Sequence, residues 1–172
     1  MHIKKAIVAD TQELTILVNG AYRGESSKAG WTSESHLLDG TRIDELTMLS
    51  YLKDDNITIL KYLDDDGSIK GCVYLEPKEG KLYLGMLTVS PLEQANGIGR
   101  QLLEEAEKYA LKLGFEAIFM TVITSREELV NWYVRRGFNA TGEIRPFPVH
   151  EKFGIAKEFF ELMVMEKFLD KV

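Results

Sequence analysis

The segment from Leu84 to Gly99 reads LGMLTVSPLEQANGIG and is the most informative part of this chain. A short apolar run ends at Pro91, small and polar residues follow, and Gly97-Ile98-Gly99 opens an uninterrupted helical pattern. This order predicts a strand, a tight glycine turn and the start of a helix. Free backbone N–H groups and the positive end of the helix dipole favour phosphate there, and glycine lets the phosphate approach the backbone closely.

The composition is that of a globular domain. The chain has 172 residues, of which 45% are hydrophobic, enough for one domain with a sizeable core. Its formal charge of −6 argues against general nucleic-acid binding. No apolar stretch approaches the roughly 20 residues that span a bilayer, and no N-terminal signal sequence is visible. We therefore expect a single domain over residues 1–172 of a soluble cytoplasmic protein.

Residues that hold metals or form disulfides are sparse. Cys72 is the single cysteine, so an internal disulfide and a multi-cysteine zinc site are excluded. It lies in an apolar run, which favours a buried structural thiol. No set of His, Asp and Glu has metal-ligand spacing, and we expect no metal. The stretch from Gly97 to Leu102 lacks the third glycine of a dinucleotide fingerprint, and no serine lies in a Gly-x-Ser-x-Gly elbow.

Hydrophobic periodicity predicts strands and helices along the whole chain. Helices are expected after Asp10, after Thr41, after Gly99 and after a Ser125 cap, with strands at 3–9, 56–63, 69–75, 81–89, 115–123, 138–144 and 159–168. Asp10 and Glu13 have capping-box spacing, and Asp65-Asp66-Gly67 and Pro77 to Gly80 are turn signals. Gly114 is typical of a helix end. One mixed α/β or α+β domain accounts for this order.

Two segments resemble the GNAT acetyltransferase family. Gln94-Ala95-Asn96-Gly97-Ile98-Gly99 matches its acyl-CoA-binding motif, Gln/Arg-x-x-Gly-x-Gly/Ala, and Arg100 follows. The segment from Arg126 to Phe138 is similar to the second signature of the family, a helix bearing a Tyr, here Tyr133, before Gly-Phe. The order of elements is also the one that the family shows. The resemblance therefore covers essentially the whole chain.

The resemblance implies a GNAT-like fold, with a mixed, mostly antiparallel central sheet flanked by helices and with splayed fourth and fifth strands. It implies acetyl-CoA as the cofactor, with its pantetheine arm on Leu87-Thr88-Val89 and its pyrophosphate on the backbone from Gly97 to Arg100. Gln94, Ala95 and Asn96, which begin the motif, are expected to bind the cofactor too. Gly85 is expected to mark the bulge that begins the splay. As patterns alone, these segments also suit an ordinary central strand and a helix start without a ligand.

In the family, the Tyr at the place of Tyr133 lies near the CoA sulfur and protonates the departing thiolate. The resemblance therefore implies a general acid, although helical spacing alone also suits a core aromatic. Seven positions earlier, many family members have an Asn that contacts the cofactor arm, and this chain has Arg126. Arg126 is expected either to reach a CoA phosphate or carbonyl or to be a solvated first-turn residue.

The acceptor pocket of the family is walled by the region between the first two helices and by the last loop. In this chain the first region contains Tyr22, Arg23, Trp31 and Glu34, and the second contains His150. Aromatic side chains offer contact area to a small molecule, and an Arg can bind its carboxylate with two hydrogen bonds. Acetylation of an amine also needs a base that removes a proton from the acceptor. Glu34 is the first choice for that base and His150 the second. Trp31 also suits a core plug, and Glu34 a residue that complements a helix dipole.

These inferences favour an acetyl-CoA-dependent N-acetyltransferase that moves an acetyl group directly to a primary amine in a ternary complex. A small-molecule amine or an amino acid is the favoured acceptor, and a peptide or protein amine is the alternative. A non-catalytic acyl-CoA sensor and a structural partner protein without a ligand are the competing classes. A homodimer follows from family habit, although no sequence feature requires one. Nucleic acid and membrane partners are not expected.

Overall fold

The computed structural model describes residues 2–22, 38–39, 42–94, 96–147, 155–156 and 161–170. Within them the helices are α1 (Thr11–Tyr22), α2 (Glu45–Lys53), α3 (Ile98–Lys112) and α4 (Glu127–Val134). The strands are β1 (Ile3–Lys5), β2 (Leu38–Asp39), β3 (Thr58–Leu63), β4 (Ile69–Lys78), β5 (Lys81–Val89), β6 (Ala117–Ile123), β7 (Asn139–Pro146), β8 (Ile155–Ala156) and β9 (Glu161–Phe168). Among these described segments, no helix has the length and apolarity that a membrane crossing requires.

Seven strands form one mixed sheet in the order β1-β3-β4-β5-β6-β9-β7, and β2 pairs separately with β8. Within that sheet β5 and β6 run parallel, and every other pair of neighbours is antiparallel. β5 and β6 are the fourth and fifth strands of the sequence prediction. They pair at Leu82 with Ile118 and at Tyr83 with Phe119, and their described residues diverge from there. The predicted mostly antiparallel sheet and its splay are therefore confirmed.

Helices cover both faces of the sheet, and each face has its own apolar core. On one face, α1 and α2 bury Leu14, Val18 and Met48 against the strands. On the other face, α3 packs with Leu102, and Phe138 fills the space beside α4. Each such large side chain contributes about 1.5–3 kcal/mol when it leaves water completely. The backbone groups of an inner strand are paired with its neighbours, so an inner strand can offer them to a ligand only where neighbouring strands separate.

The predicted helix after the glycine turn is present as α3. Ile98, Leu102, Ala106 and Ala110 recur every four residues and are all buried, as the periodicity predicts. The helix ends at Lys112, and Gly114, two residues later, has a φ of +85°. The Phe115 N–H donates to the Ala110 carbonyl across this glycine at 2.9 Å, as expected of a glycine helix terminus.

The capping box predicted at the start of α1 is wrong. Asp10 Oδ2 instead accepts hydrogen bonds from the Ile7 N–H at 2.8 Å and from Lys61 Nζ at 2.7 Å. Glu13 Oε1 accepts from the Ile69 N–H at 2.8 Å. The first strand is also shorter than predicted, because the chain turns into a short 3-10 helix after β1. Lys61 of β3 and Ile69 of β4 therefore bond the two carboxylates that local spacing assigns to the capping box of α1.

Two further local predictions differ from the structure. The sequence predicts a turn from Pro77, whereas β4 continues and places Pro77 opposite Leu82. The missing N–H of this proline costs no hydrogen bond with β3, because β3 begins opposite Leu75 and has no residue opposite Pro77. The turn is reduced to Glu79-Gly80, with φ values of +53° and +76°. Ser125 is not the cap of α4, since the next residue occupies the N-cap position.

Candidate active site

A β-bulge in β5 lies beside the point where β6 diverges. Between Gly85 and Thr88, β5 places two residues, Met86 and Leu87, opposite a single residue of β4. Met86 has a φ of +50°, a left-handed conformation that is uncommon for a residue with a side chain. The sequence predicts the bulge at Gly85, and the structure has it immediately after that glycine.

The bulge reverses which side chains of β5 face each core. Leu82 and Leu84 pack in the core under α3 and α4, whereas Met86 packs in the core under α1. Leu87 then returns to the α3 side, as does Val89. Without the extra residue, strict alternation would turn Leu87 toward α1.

The backbone of β5 beyond the bulge has an open edge. Thr88 pairs with a residue of β4, and two positions later the Ser90 N–H donates to the Lys70 carbonyl at 2.8 Å. Ladder bonds of an antiparallel pair involve alternate residues on each strand. The N–H and C=O groups of Leu87 and Val89 therefore point away from β4, toward the space that β6 leaves.

Two side chains bond the carbonyls of this open edge. The hydroxyl of Tyr22, the last residue of α1, donates to the Leu87 carbonyl. Gln94 Nε2 donates to the Val89 carbonyl at 3.2 Å. The first residue of the motif therefore ties the turn back to the end of the strand that precedes it.

The turn after β5 enters α3 through Gly97. Gly97 has a φ of +76°, and its carbonyl accepts a helical bond from the Gln101 N–H at 3.1 Å. The N–H groups of Ile98, Gly99 and Arg100 precede that bond and have no acceptor within the helix. The positive end of the helix dipole coincides with them. The strand, turn and helix start predicted for this segment are all present.

A cavity of about 180 Å³ opens at this helix N-terminus. We call it the turn cavity, and its described lining comprises Tyr22, Leu87, Val89, Gln94, Gly97, Gly99, Arg100, Leu129, Trp132, Tyr133 and Arg136. A Cβ added at Gly99 would lie 3.4 Å from Trp132 and 3.5 Å from Val89. Glycine therefore keeps this wall of the cavity open. The cavity joins the end of β5, the motif and one face of α4.

A second cavity, of about 230 Å³, lies where β5 and β6 separate. We call it the splay cavity, and its described lining comprises Tyr22, Arg42, Tyr83, Leu84, Gly85, Met120, Thr121, Val122, Ile123, Arg126, Leu129, Tyr133, Phe147 and Leu162. Three side chains line both cavities, and these are Tyr22, Leu129 and Tyr133. The two cavities therefore meet at these residues.

Tyr133 lies at that junction and is only 5% exposed. Burial raises its pKa above the ordinary value, and the phenols of Tyr22 and Tyr83 add to the rise. The charges of Arg126 and Arg136 act in the opposite direction and are smaller in effect. The hydroxyl is therefore protonated at neutral pH, and it can donate a proton but is a poor base.

Two motif residues keep their side chains out of the turn cavity. Asn96 is exposed, and its amide donates to the Glu93 carboxylate at 2.7 Å. The Ile98 side chain is 4% exposed and packs in the core under α3. Only the backbone of Ile98 is therefore available to a ligand at the helix start.

Thr88 likewise is not part of the described lining of either cavity. It is 1% exposed, and its hydroxyl donates to the Met86 carbonyl at 2.9 Å. Its side chain faces the α1 side because it alternates with Leu87 and Val89, and its backbone groups pair with β4. Of the three predicted strand residues, Leu87 and Val89 are thus the two that face the turn cavity.

Arg126 lines the splay cavity and not the turn cavity. It occupies the N-cap position of α4 and is 8% exposed, so the alternative of a solvated first-turn residue is wrong. Arg42, from the segment before α2, lines the same cavity. Two guanidinium groups therefore bring positive charge to the wall of the splay cavity.

Several predicted site residues lie outside the described part of the chain, namely Arg23, Trp31, Glu34, Ala95 and His150. Their roles stay predictions. The structure also brings to the cavities residues that the sequence did not single out, namely Arg42, Leu129, Trp132, Arg136 and the end of β6. One signal was present for α4, because Leu129, Trp132, Tyr133 and Arg136 have the i, i+3, i+4, i+7 spacing of one helix face.

Solved structures with a similar fold include three N-acetyltransferases. The ribosomal-protein-alanine N-acetyltransferase from Brucella melitensis has a TM-score of 0.72 at 23% identity, over 98% of this chain and 100% of that one. An N-acetyltransferase from Staphylococcus aureus Mu50 has a TM-score of 0.72 at 16% identity, over 96% of each chain. The PaiA N-acetyltransferase from Thermoplasma acidophilum, in complex with coenzyme A, has a TM-score of 0.69 at 19% identity, over 96% and 97% of the chains. At these identities the likeness is one of fold.

Sequence comparison identifies the family directly. No curated protein sequence matches the chain. The model of the Acetyltransferase (GNAT) family matches residues 13–138, which include both motifs, most of α1 and the elements from there to α4. This match spans well over half of the 172 residues. The chain therefore belongs to the GNAT family of acetyltransferases, enzymes that transfer an acetyl group from acetyl-CoA.

Proposed function

We propose that the chain transfers the acetyl group of acetyl-CoA directly to a primary amine of a small molecule or an amino acid, within a ternary complex. The observation that carries the proposal is the meeting of the turn cavity and the splay cavity at Tyr133. A donor in the first cavity and an acceptor in the second would have their reacting groups beside one hydroxyl. Holding both reactants side by side accounts for much of the acceleration in such reactions.

The residues of the turn cavity fit the phosphate end of acetyl-CoA. A Cβ placed on Gly97 would have Arg100 as its nearest neighbour, at 3.9 Å, so the backbone there is accessible. Arg136 Nε is buried without a hydrogen-bond partner in the described part of the chain. An accessible helix N-terminus and a cationic donor that lacks an acceptor both match a diphosphate.

The open edge of β5 suits the pantetheine arm of the cofactor. The N–H groups of Leu87 and Val89 face the space between the strands, where an amide-bearing arm would add as a further strand. Acetyl-CoA supplies a thioester, whose carbonyl carbon is the electrophile. The Leu87 N–H stabilises the oxygen of that carbonyl as negative charge develops on it. The Thr88 N–H is not suited to this role because it faces β4.

Tyr133 is the proposed general acid. Its hydroxyl is protonated at neutral pH because burial raises its pKa. Tyr133 gives this proton to the departing CoA sulfur. The acceptor nitrogen loses one proton to the base, so one proton is released for each proton that the sulfur gains. This role agrees with the position of the side chain at the junction of the two cavities.

The acceptor would occupy the splay cavity. Tyr22 and Phe147 offer aromatic walls, and Arg42 and Arg126 bring positive charge. Positive charge disfavours an ammonium ion and so favours the neutral amine, which is the form that attacks. An acceptor that also carries a carboxylate, such as an amino acid, would complement a guanidinium group. Glu34 and His150 remain the proposed alternatives for the base.

An acceptor screen that measures release of the CoA thiol tests this proposal. Its arms are free amino acids, the corresponding amino acid amides, simple amines without a carboxylate, and a short peptide with a free N-terminus. We expect thiol release to depend on an amino acid or a small amine. Thiol release with the peptide and with no other arm would mean that the acceptor is a peptide or protein amine. An acetylated enzyme formed without any acceptor would contradict direct transfer.

A further inference from the structure

Arg136 makes two contacts with Trp132 at the edge of the turn cavity. Its guanidinium carbon lies 3.7 Å from the centre of the Trp132 ring, and its Nη1 donates to the Trp132 carbonyl at 3.0 Å. The same indole ring lies 3.4 Å from where a Cβ on Gly99 would be. One indole therefore turns its edge toward Gly99 and its face toward the guanidinium group.

The remaining hydrogen-bonding capacity of Arg136 is not satisfied within the described part of the chain. Its Nε is buried and has no partner, and no described carboxylate forms an ion pair with it. A buried donor on a charged group is costly when it has no acceptor. Arg136 lines the turn cavity, so a ligand bound there would bring an acceptor to its guanidinium group.

The charge around Arg136 indicates the sign of that ligand. Burial lowers the pKa of Arg136, and the neighbouring charges of Arg135 and Arg100 lower it further. Arg100 has only a loose contact with Glu104, at 4.0 Å, and both side chains are more than half exposed. Arg100 and Arg136 line the same cavity, where their positive charges repel each other, and a bound anion would relieve that repulsion.

We infer that Arg136 binds a phosphate group of acetyl-CoA and forms, with Arg100 and the N-terminus of α3, a phosphate subsite of the turn cavity. The inference rests on the proposed position of the cofactor. The phosphate is either the diphosphate or the 3′-phosphate of the adenosine moiety, and a planar guanidinium with a free Nε suits either. Trp132 fixes the guanidinium plane, so that little side-chain freedom is lost when the phosphate binds.

Calorimetric binding of CoA to Arg136→Met and to Arg135→Met tests the inference. Both variants lose one positive charge at adjacent positions, but Arg135 is exposed and does not line the turn cavity. We expect Arg136→Met to weaken CoA binding about tenfold or more. We expect Arg135→Met to remain within about twofold of the wild type, because an exposed charge is screened by salt. Equal losses in the two variants would overturn the inference.

Two truncated ligands identify which phosphate is bound. If Arg136 binds the 3′-phosphate, Arg136→Met and the wild type bind 3′-dephospho-CoA equally; if it binds the diphosphate, the variant is weaker for this ligand too. Pantetheine, which has no phosphate, should bind both proteins alike. A matching loss with pantetheine would show that Arg136 only supports the packing of Trp132, and would overturn the inference.

The remaining outcomes separate the inference from the proposed function. Thermal unfolding without ligand shows whether Arg136→Met remains folded. If Arg136→Met is unfolded, Arg136→Lys is used in its place, because it keeps the positive charge but lacks Nε. We expect Arg136→Lys to bind CoA less tightly than the wild type does and to bind pantetheine as tightly as the wild type does. Undiminished CoA binding by Arg136→Lys in that case overturns the inference. A wild-type protein that binds no CoA would instead refute the proposed function.

Discussion

The Tyr22 hydroxyl donates a hydrogen bond to the Leu87 carbonyl and so joins the end of α1 to β5 just beyond its bulge. This carbonyl is available because the bulge and the departure of β6 leave the edge of β5 unpaired on that side. A side chain from one face of the sheet therefore helps to hold the strand edge at the centre of the candidate site.

Replacing Tyr22 with Phe tests this relationship. The Leu87 carbonyl loses its side-chain donor in a partly buried position, and we expect the free energy of unfolding to fall by about 1–3 kcal/mol. Urea unfolding followed by circular dichroism measures the change. An unfolding free energy equal to that of the wild type would mean that water replaces the hydroxyl at no cost.

Replacing Tyr133 with Phe removes the proposed general acid but keeps the ring that packs in the core. We expect turnover to fall by more than about tenfold while CoA affinity stays close to that of the wild type. Steady-state kinetics and calorimetry measure the two effects separately. Tyr109→Phe is the matched control, since the Tyr109 hydroxyl bonds Thr58 at 2.9 Å and lines neither cavity. Unchanged turnover in Tyr133→Phe would remove this residue from the mechanism.

Replacing Gly97 with Glu places bulk and negative charge at the start of α3. The proposed diphosphate would meet a carboxylate, and we expect CoA binding to be undetectable by calorimetry. Gly67→Glu controls for backbone strain, because Gly67 also has a positive φ, +85°, and open space around its Cβ position in the turn between β3 and β4. CoA affinity at the wild-type level in Gly97→Glu would refute the phosphate assignment.

The stability of the protein should depend on pH through Cys72, which is fully buried as the sequence predicts. Burial raises the pKa of its thiol from 9.0 to about 12. The unfolded chain therefore releases this proton at a lower pH than the folded chain does. The contribution to stability is complete below pH 9.0 and is lost as pH rises toward 12.

Cys72→Ala isolates this effect. We expect the wild type to lose more unfolding free energy than Cys72→Ala when pH is raised from just below to just above 9.0. Denaturant unfolding at the two pH values measures the difference. Equal losses in the two proteins would contradict the raised pKa. The folded wild type should also resist thiol reagents at neutral pH, because the thiolate is the reactive form.

The features that the sequence predicts well depend on residues close together in the chain. β5 has the predicted bounds, Lys81 to Val89, and the glycine turn and α3 follow it as expected. Alternation, turn glycines and helical periodicity are local properties, so a linear pattern records them. The capping box at Asp10 failed for the opposite reason, because its carboxylate bonds Lys61, which is 51 positions away.

The pattern of amino acids alone predicted a mixed α/β or α+β domain, a helix start after a glycine turn that suits phosphate, and a Tyr on a helix before Gly-Phe. Long-range packing specified where those parts meet. The residue at which β5 bulges depends on its register with β4, and that register turns Leu87 rather than Thr88 toward the turn cavity. The separation of β5 from β6 opens the splay cavity, and the turn after α4 brings Arg136 to the turn cavity, which Gly97 also lines. Cavities form between elements that are distant in sequence, and no linear pattern encodes the distances that shape them.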